Sequence, residues 1–481
     1  MLKSKGGLPA GKGGREMIQR ERLKPLNSRP ASGGQYVLYW MQASQREDTN
    51  HALEFAIGEA NARNLPVLVY FGLTADYPEA NLRHYSFMLE GLAETRARLE
   101  ERGVGMIIRA EPPPAGAVRL SRRAALLVVD RGYLRHQRAW RREAAEWAPC
   151  PVIRVETDAV VPVEEALGYE AYSAAVLRPK IQKLLPRYLA PLRKRRVKKR
   201  FRAPGLDSLD LVNPSAVLAR LPIDRSVGPA NGAAGGTSRA RRRLAAFLRK
   251  GLDRYADDRS NPDLEAGSGL SAYLHFGQIS PLAVALAVGR TPHRGSEAFL
   301  EQLIVRRELS LNFVYYNSRY DRFEGLPAWS RRTLLAEARK RAKPVYSAAE
   351  LEAARTHDPY WNAAQREMVC LGRMHGTMRM YWGKKLLEWS SSPEAAFRLA
   401  LRLNNKYQLD GRDPNGYAGV AWCFGKHDRP WPAQPGFGQV RSMKASGLDR
   451  KYNLPAYVRR VERVCAPTAP PSPSSPRRGN R

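Results

Sequence analysis

Trp361, Trp382 and Trp389 stand close together in the second half of the chain. Indole rings in series pass electrons to a redox cofactor. Trp382 and Trp389, seven residues apart, share one face of a helix. Packing in a core is the plain alternative for all three. A second group lies on Phe299-Leu-Glu-Gln-Leu-Ile-Val-Arg-Arg-Glu-Leu-Ser-Leu-Asn-Phe313. There Glu301, Arg306, Arg307 and Glu308 interleave with a wide apolar stripe. They form either internal salt bridges or a polar wall facing a cofactor and substrate. A third is Gly267-Ser-Gly-Leu-Ser271, whose hydroxyls and backbone N–H groups suit a phosphate or, more simply, cap the next helix. The fourth is the stretch from Leu403 to Met443, dense in Gly, Pro, Asn, Asp and Trp. A long aromatic loop with Arg, Lys and His suits stacking on bases and pairing with phosphates.

The elements that must position these groups fall into two halves. Tyr36-Val-Leu-Tyr-Trp40, Pro66–Phe71, Val104–Ile108, Ala125–Val129 and Val152–Val155 are short apolar runs. Helical patterns at Leu53–Arg63 and Phe87–Arg102 alternate with them, which predicts a doubly wound parallel sheet over 35–157. No Gly-x-Gly-x-x-Gly or Walker loop follows any strand. From 241 to 465 the periodicity is helical, including one long pattern over Gln365–Glu388, and predicts an all-α domain. Residues 158–240 read as a connector, with a flexible Gly228–Thr237 stretch. Leu192-Arg-Lys-Arg-Arg-Val-Lys-Lys-Arg200 reads as a solvated helix face. Residues 1–34 are expected to form a disordered basic arm and 466–481 a disordered tail.

Lys and Arg number 80 against 46 acidic residues, a net charge of +34. Such an excess draws a polyanion, and nucleic acid is the natural one. Cys150, Cys370, Cys423 and Cys465 form no CxxC pair and read as reduced thiols of a cytosolic protein. With no histidine cluster at ligand spacing, no metal is expected. No run of eighteen apolar residues spans a membrane, and the N-terminus has no apolar signal core.

Together these segments resemble class II photolyases of the photolyase/cryptochrome family. The resemblance is carried by Tyr36–Arg46, Leu82–Leu92, Phe299–Phe313, Asp358–Gln365, Arg373–Trp382 and Gly425-Lys-His-Asp-Arg-Pro-Trp431 with its continuation to Met443. It covers roughly residues 20–460. It implies an α/β antenna domain, a linker and a helical domain holding FAD, active as FADH⁻. It also implies a monomer that repairs cyclobutane pyrimidine dimers in double-stranded DNA, as a carbon–carbon lyase of the cytoplasm or nucleoid. By resemblance, Tyr255, Ser268, Gly269, Leu270 and Ser271 hold FAD phosphates, and Arg306 and Glu308 lie on the FAD-facing helix. Arg373 and Asp410 form the ion pair beside the isoalloxazine, and Asn404 stands near flavin N5. Trp382, Trp361 and Trp389 form the photoreduction chain in that outward order. Trp422 packs on the dimer. Glu301 and Gln302 face the substrate, and Arg429, Arg441 and Lys444 are the cations expected to meet DNA. An 8-hydroxy-deazaflavin or a folate would be the antenna chromophore. Four positions depart from the family pattern: Gln302 replaces a glutamate, and Trp431-Pro-Ala-Gln434 and Phe437-Gly-Gln439 replace Trp-x-Glu-Arg and Phe-Gly-Lys. They leave a cryptochrome-like light sensor as the alternative.

Overall fold

The apolar runs pair into a sheet because each is long enough for one strand and is buried on both faces. The computed structural model describes residues 18–31, 33–202, 206–290, 293–338 and 346–466. Its six strands are β1 (Leu23–Pro25), β2 (Tyr36–Trp40), β3 (Val67–Leu73), β4 (Gly105–Ala110), β5 (Ala124–Asp130) and β6 (Val152–Val155), in the order β1-β6-β5-β2-β3-β4. β2 to β6 pair in parallel, and β1 closes one edge antiparallel to β6. The chain runs outward from β2 through β3 to β4, then returns to β5 on the other side of β2. That reversal opens a crevice at the carboxyl ends of β2 and β5, where open α/β sheets bind ligands.

β1 corrects the expectation of a disordered arm through residue 34. Arg22 is fully buried and donates to the carbonyl oxygens of Glu156, Ala159 and Val160 at 3.1, 2.9 and 2.6 Å. Three buried carbonyls need donors, and one guanidinium supplies them. Residues 1–17 of the arm and 467–481 of the tail lie outside the described residues. The connector is also built into the body. It contains helices Val163–Ala166, Ala174–Tyr188 and Pro214–Arg220, and Val160, Val161 and Leu177 are core residues. Residues 191–200 are not helical: the segment lies flat on the α/β half, the Arg195 N–H donating to Glu54 at 2.7 Å and the Lys198 N–H to Asn61 at 3.0 Å.

The helical half starts its main helices with one device. Ser280, Asp358, Ser392 and Asp413 cap helices Pro281–Gly289, Pro359–Leu371, Pro393–Tyr407 and Pro414–Cys423, each with proline at its first position. The cap accepts an orphan N–H and the proline has none to satisfy. The single pattern over Gln365–Glu388 is two helices, Pro359–Leu371 and Gly376–Trp389. Gly372 breaks it with φ 64°, and a Cβ there would lie 2.9 Å from Leu409 Cγ. The two halves interlock through Arg83, which donates to the carbonyls of Met368, Val369 and Tyr407, and through buried Arg46, which donates to the Gly277 carbonyl at 3.0 Å.

Candidate redox and nucleic-acid site

Asp358 fixes the start of the tryptophan line. Its carboxylate accepts the N–H groups of Tyr360 and Trp361, both at 3.0 Å, and the hydroxyl of Tyr381. Trp361 then donates its indole N–H to the Trp382 carbonyl at 3.1 Å, and the Trp382 indole donates to Gln365 at 2.9 Å. Trp361 meets Trp389 edge-on with ring centroids 5.6 Å apart. So Trp361 bridges the other two. All three are buried, and Tyr346 and His357 pack on the far side of Trp389 at 5.4 and 5.5 Å.

Arg379 lies one turn before Trp382 on the same helix, so the two side chains are neighbours. Its guanidinium reaches Asp410 at 3.8 Å and Gln408 at 2.6 Å, while its Nε is buried without a partner. The expected Arg373–Asp410 pair is therefore corrected to Arg379–Asp410. Arg373 lies in the turn before the helix and pairs instead with Glu265 at 2.6 Å. Asn404 is buried beside this pair. Its amide donates to Asn405 and accepts from Gln408, both at 3.0 Å, and stands against Gly416, where a Cβ would come within 2.9 Å.

Ser268, Gly269, Leu270 and Ser271 form a turn into helix Ser271–His275. Gly269 has φ +65° and Arg243 donates to the Ser268 carbonyl at 3.2 Å. Tyr255 packs between Phe247 and Phe299. Burial raises the pKa of its hydroxyl.

These residues suit a flavin dinucleotide. A Cβ at Gly267 or Gly376 would meet nothing within 4 Å, and one at Gly419 only the Arg379 side chain at 3.9 Å. The Arg379 and Asp410 side chains are 21% and 12% exposed, so the ion pair can be reached from the side of Gly419.

The Phe299–Phe313 segment splits into two faces. Residues Glu301–Arg306 form a π-helical turn, a feature frequent at functional sites. It sets Glu301 between Arg178 and Arg306 at 2.8 and 3.0 Å, with the Arg306 guanidinium 5.5 Å above the half-buried Trp422 ring. Gln302 is half-buried on the same turn. Glu308 lies elsewhere, which corrects its placement toward FAD. It is buried and accepts the N–H groups of Val160 and Val161 at 2.6 and 3.2 Å. Burial pushes its carboxyl up to about 8 against the pull of these donors. Those N–H groups have no other outlet, so the carboxylate is consumed in holding the connector.

Beyond Trp422, a turn closes where the Trp431 N–H donates to the Gln439 carbonyl at 2.9 Å. Exposed Arg429 and Arg441 stand at 5.2 and 4.8 Å from the Trp431 ring. Lys444 is exposed nearby in sequence. The sequence reading takes Trp431 only as part of a family motif, although an aromatic flanked by arginines is also a stacking signal.

A separate cleft lies at the carboxyl ends of β2, β3 and β5. It encloses about 950 Å³, open mouth included, and is lined by Gln42, Tyr77, His84, Arg131, Arg307 and Arg412 among others. Asp130 shapes it by accepting the N–H groups of Gln42, Ala43 and Ser44 at 2.9, 2.7 and 3.0 Å. His275 and Asp413 close it at 3.1 Å. Burial opposes the Asp413 charge, but the His275 bond, Arg307 and the Asn415 N–H outweigh it and hold the carboxyl at about 2.

A protein from Methanothermobacter thermautotrophicus named deoxyribodipyrimidine photo-lyase is 48% identical over 92% of this chain and 99% of its own length. The chain belongs to the photolyase family. An Arabidopsis thaliana protein of the same name is 38% identical over 90% of each chain. The DNA photolyase family model matches residues 37–198. Among solved structures, a Synechocystis cryptochrome shares the fold with a TM-score of 0.70, at 12% identity over 90% of this chain and 89% of its own. A class III photolyase from Agrobacterium tumefaciens gives 0.68, at 18% identity over 90% and 87%. An archaeal photolyase from Sulfolobus tokodaii, solved with two FAD molecules, gives 0.65 at 16% identity over 88% and 89%. Membership makes the chain a lyase of a family whose cofactor is FAD. Among the described residues no helix of this photolyase is long and apolar enough to cross a membrane.

Proposed function

We propose that the chain removes cyclobutane pyrimidine dimers from double-stranded DNA under blue or near-UV light, as a class II enzyme with FAD in its helical half. The observation that carries this reading is the buried line Trp389–Trp361–Trp382, which leads to the face bearing Arg379 beside Asp410 and Asn404. An indole line that ends beside a partly exposed ion pair suits delivery of electrons to a cofactor held there.

Arg379, Asp410 and Asn404 would hold the isoalloxazine, and Ser268–Ser271 with Arg243 the phosphates. The chemistry supplied by bound, reduced FAD is light-driven electron donation to the dimer and recovery of that electron after the ring opens. The protein's own residues do the rest. Trp422 offers a flat face to the extruded bases, and Arg306 above it holds positive charge where the dimer gains negative charge. Glu301 fixes Arg306 in place, and Gln302 offers an amide that donates and accepts but supplies no proton. Arg429, Arg441 and Lys444 meet phosphates around Trp431, which stacks in the gap left by the lesion. Photolyases are among the enzymes that extrude their target, and a damaged pair costs less to unstack than an intact one. Trp389, Trp361 and Trp382 would carry electrons from an external reductant inward to the cofactor site.

An antenna chromophore, an 8-hydroxy-deazaflavin or a folate, would occupy the cleft at the strand ends, where Arg131, Arg307 and Arg412 complement an anion. Gln302, in place of a glutamate, favours the second reading, a cryptochrome-like light sensor. One assay separates them. Purified protein, reduced and carrying flavin, is mixed with UV-irradiated DNA and dimers are counted after light and after darkness. Loss in light alone is expected. Persistence of dimers in the light with flavin bound would overturn the repair reading.

A further inference from the structure

We propose that Cys370 and Cys465 form a redox-responsive disulfide that fastens the C-terminal helix Leu454–Cys465 to helix Pro359–Leu371. The inference stands on sulfur positions and is independent of the function proposed above. The two helices pack along their lengths, joined by Tyr457 donating to Glu367 at 2.9 Å and by Arg460 at 3.3 Å from the same carboxylate. At their far ends the sulfurs interleave. Cys370 Sγ lies 3.7 Å from the carbonyl of Val464, the residue before Cys465. Cys465 Sγ lies 3.8 Å from the carbonyl of Arg366, one turn before Cys370. Each sulfur thus lies against the backbone of the helix that carries the other. Both are partly exposed, whereas Cys150 and Cys423 are buried.

The surroundings divide the roles. Asn231 Nδ2 points at Cys370 Sγ from 3.3 Å, and the Arg83 guanidinium donates to the neighbouring Val369 carbonyl at 2.5 Å. Donors and positive charge beside a partly exposed sulfur mark the thiol that attacks first. Burial, with Cys370 alongside, pushes the Cys465 thiol up, so Cys465 is not the thiol that meets the oxidant first. With hydrogen peroxide as oxidant, the Cys370 sulfur attacks one peroxide oxygen and the O–O bond breaks. Cys370 is left as a sulfenic acid, and the first water departs. The Cys465 sulfur then attacks that sulfur, the S–S bond forms, the S–O bond breaks, and the second water carries away the Cys465 proton. Two thiols and one peroxide give one disulfide and two waters, and a dithiol reductant reverses the change.

The crosslink would steady more than the tail helix. Arg460 also holds the Pro262 carbonyl at 3.0 Å and Glu265 at 3.4 Å, and Glu265 holds Arg373. Oxidation would therefore clamp the loop that leads into Ser268–Ser271.

The test uses the full chain. It is reduced, freed of reductant, treated with hydrogen peroxide, then unfolded in an alkylating agent and mapped by mass spectrometry. The thiol count should fall from four to two, with one intramolecular crosslink joining Cys370 to Cys465 and full recovery in dithiothreitol. Cys465→Ser should leave a Cys370 sulfenic acid that dimedone captures, and Cys370→Ser should keep Cys465 reduced at the same dose. Four surviving thiols, a crosslink to another cysteine, or a crosslink between two chains would each overturn the proposal. The wild-type map decides the matter even if a variant folds poorly.

Discussion

Replacing Trp361 with Phe separates the structural from the electronic role of the tryptophan line. The indole is fully buried between Trp382 and Trp389, donating to the Trp382 carbonyl at 3.1 Å. Phenylalanine removes that donor and part of the ring volume. Full truncation of a buried aromatic costs about 3–5 kcal/mol, so a change that keeps one ring should cost about 1–2 kcal/mol. The fold should survive, with the loss read by denaturant titration. The electronic effect is larger. The rings packed on Trp389 are Tyr346, His357 and Trp361, so Trp361 alone of these leads inward to Trp382. Photoreduction of oxidised flavin should slow by at least about tenfold, equivalent to a barrier raised by about 1.4 kcal/mol. Dimer repair by chemically reduced protein should be unchanged. Stopped illumination followed at the flavin absorbance measures the first quantity, and dimer counting the second. Photoreduction at the parental rate in a folded Trp361→Phe protein would refute the conduit.

Three further outcomes follow from the same geometry. Trp422→Ala should weaken binding to dimer-containing DNA by about 1–3 kcal/mol, as for other base–aromatic stacks, while binding to intact DNA changes little in a filter or fluorescence titration. Equal losses on both would assign Trp422 to folding or general phosphate contact. Arg379→Ala should release flavin at concentrations where Arg373→Ala retains it, measured by flavin fluorescence after dialysis; the reverse order would restore the Arg373 pairing. Lys384 is buried, donates to the Cys423 carbonyl at 2.5 Å, and burial pulls its ammonium down to about 8 from 10.5. Between these values the unfolded chain binds the extra proton, so Lys384 makes stability rise with pH across that window, by up to about 3 kcal/mol. Lys384→Met should remove that rise from denaturation curves taken at pH 7.5 to 10.

The sheet was legible because buried parallel strands are continuous apolar runs, whereas helix Pro414–Cys423 lies inside the 403–443 stretch read as a loop, and helix Pro359–Leu371 starts six residues before the pattern read at Gln365. The three tryptophans were legible as a group through the family resemblance, and Trp361 does touch both of the others. What escaped was tertiary. Arg22 reads as an arm residue until the three carbonyls it serves, more than a hundred positions away, are known. The run 192–200 is charged enough to pass for a solvated helix, yet single backbone contacts to Glu54 and Asn61 hold it extended. Arg373 and Arg379 are six residues apart, and only the break at Gly372 with the helix start at Gly376 decides which one stands beside Trp382. Glu308 shares a segment with Glu301 but meets different partners, the Val160 and Val161 N–H groups and not Arg178 and Arg306, because the π-helical turn between them shifts the phase of the helix.

The account is tested most directly by a crystal structure of the protein loaded with FAD. It predicts the isoalloxazine against Arg379, Asp410 and Asn404, with Trp382 the tryptophan nearest to it and Trp422 facing it across an opening to solvent. A flavin bound only in the cleft at the strand ends, with Trp382 walled off from it by packed side chains, would contradict the account.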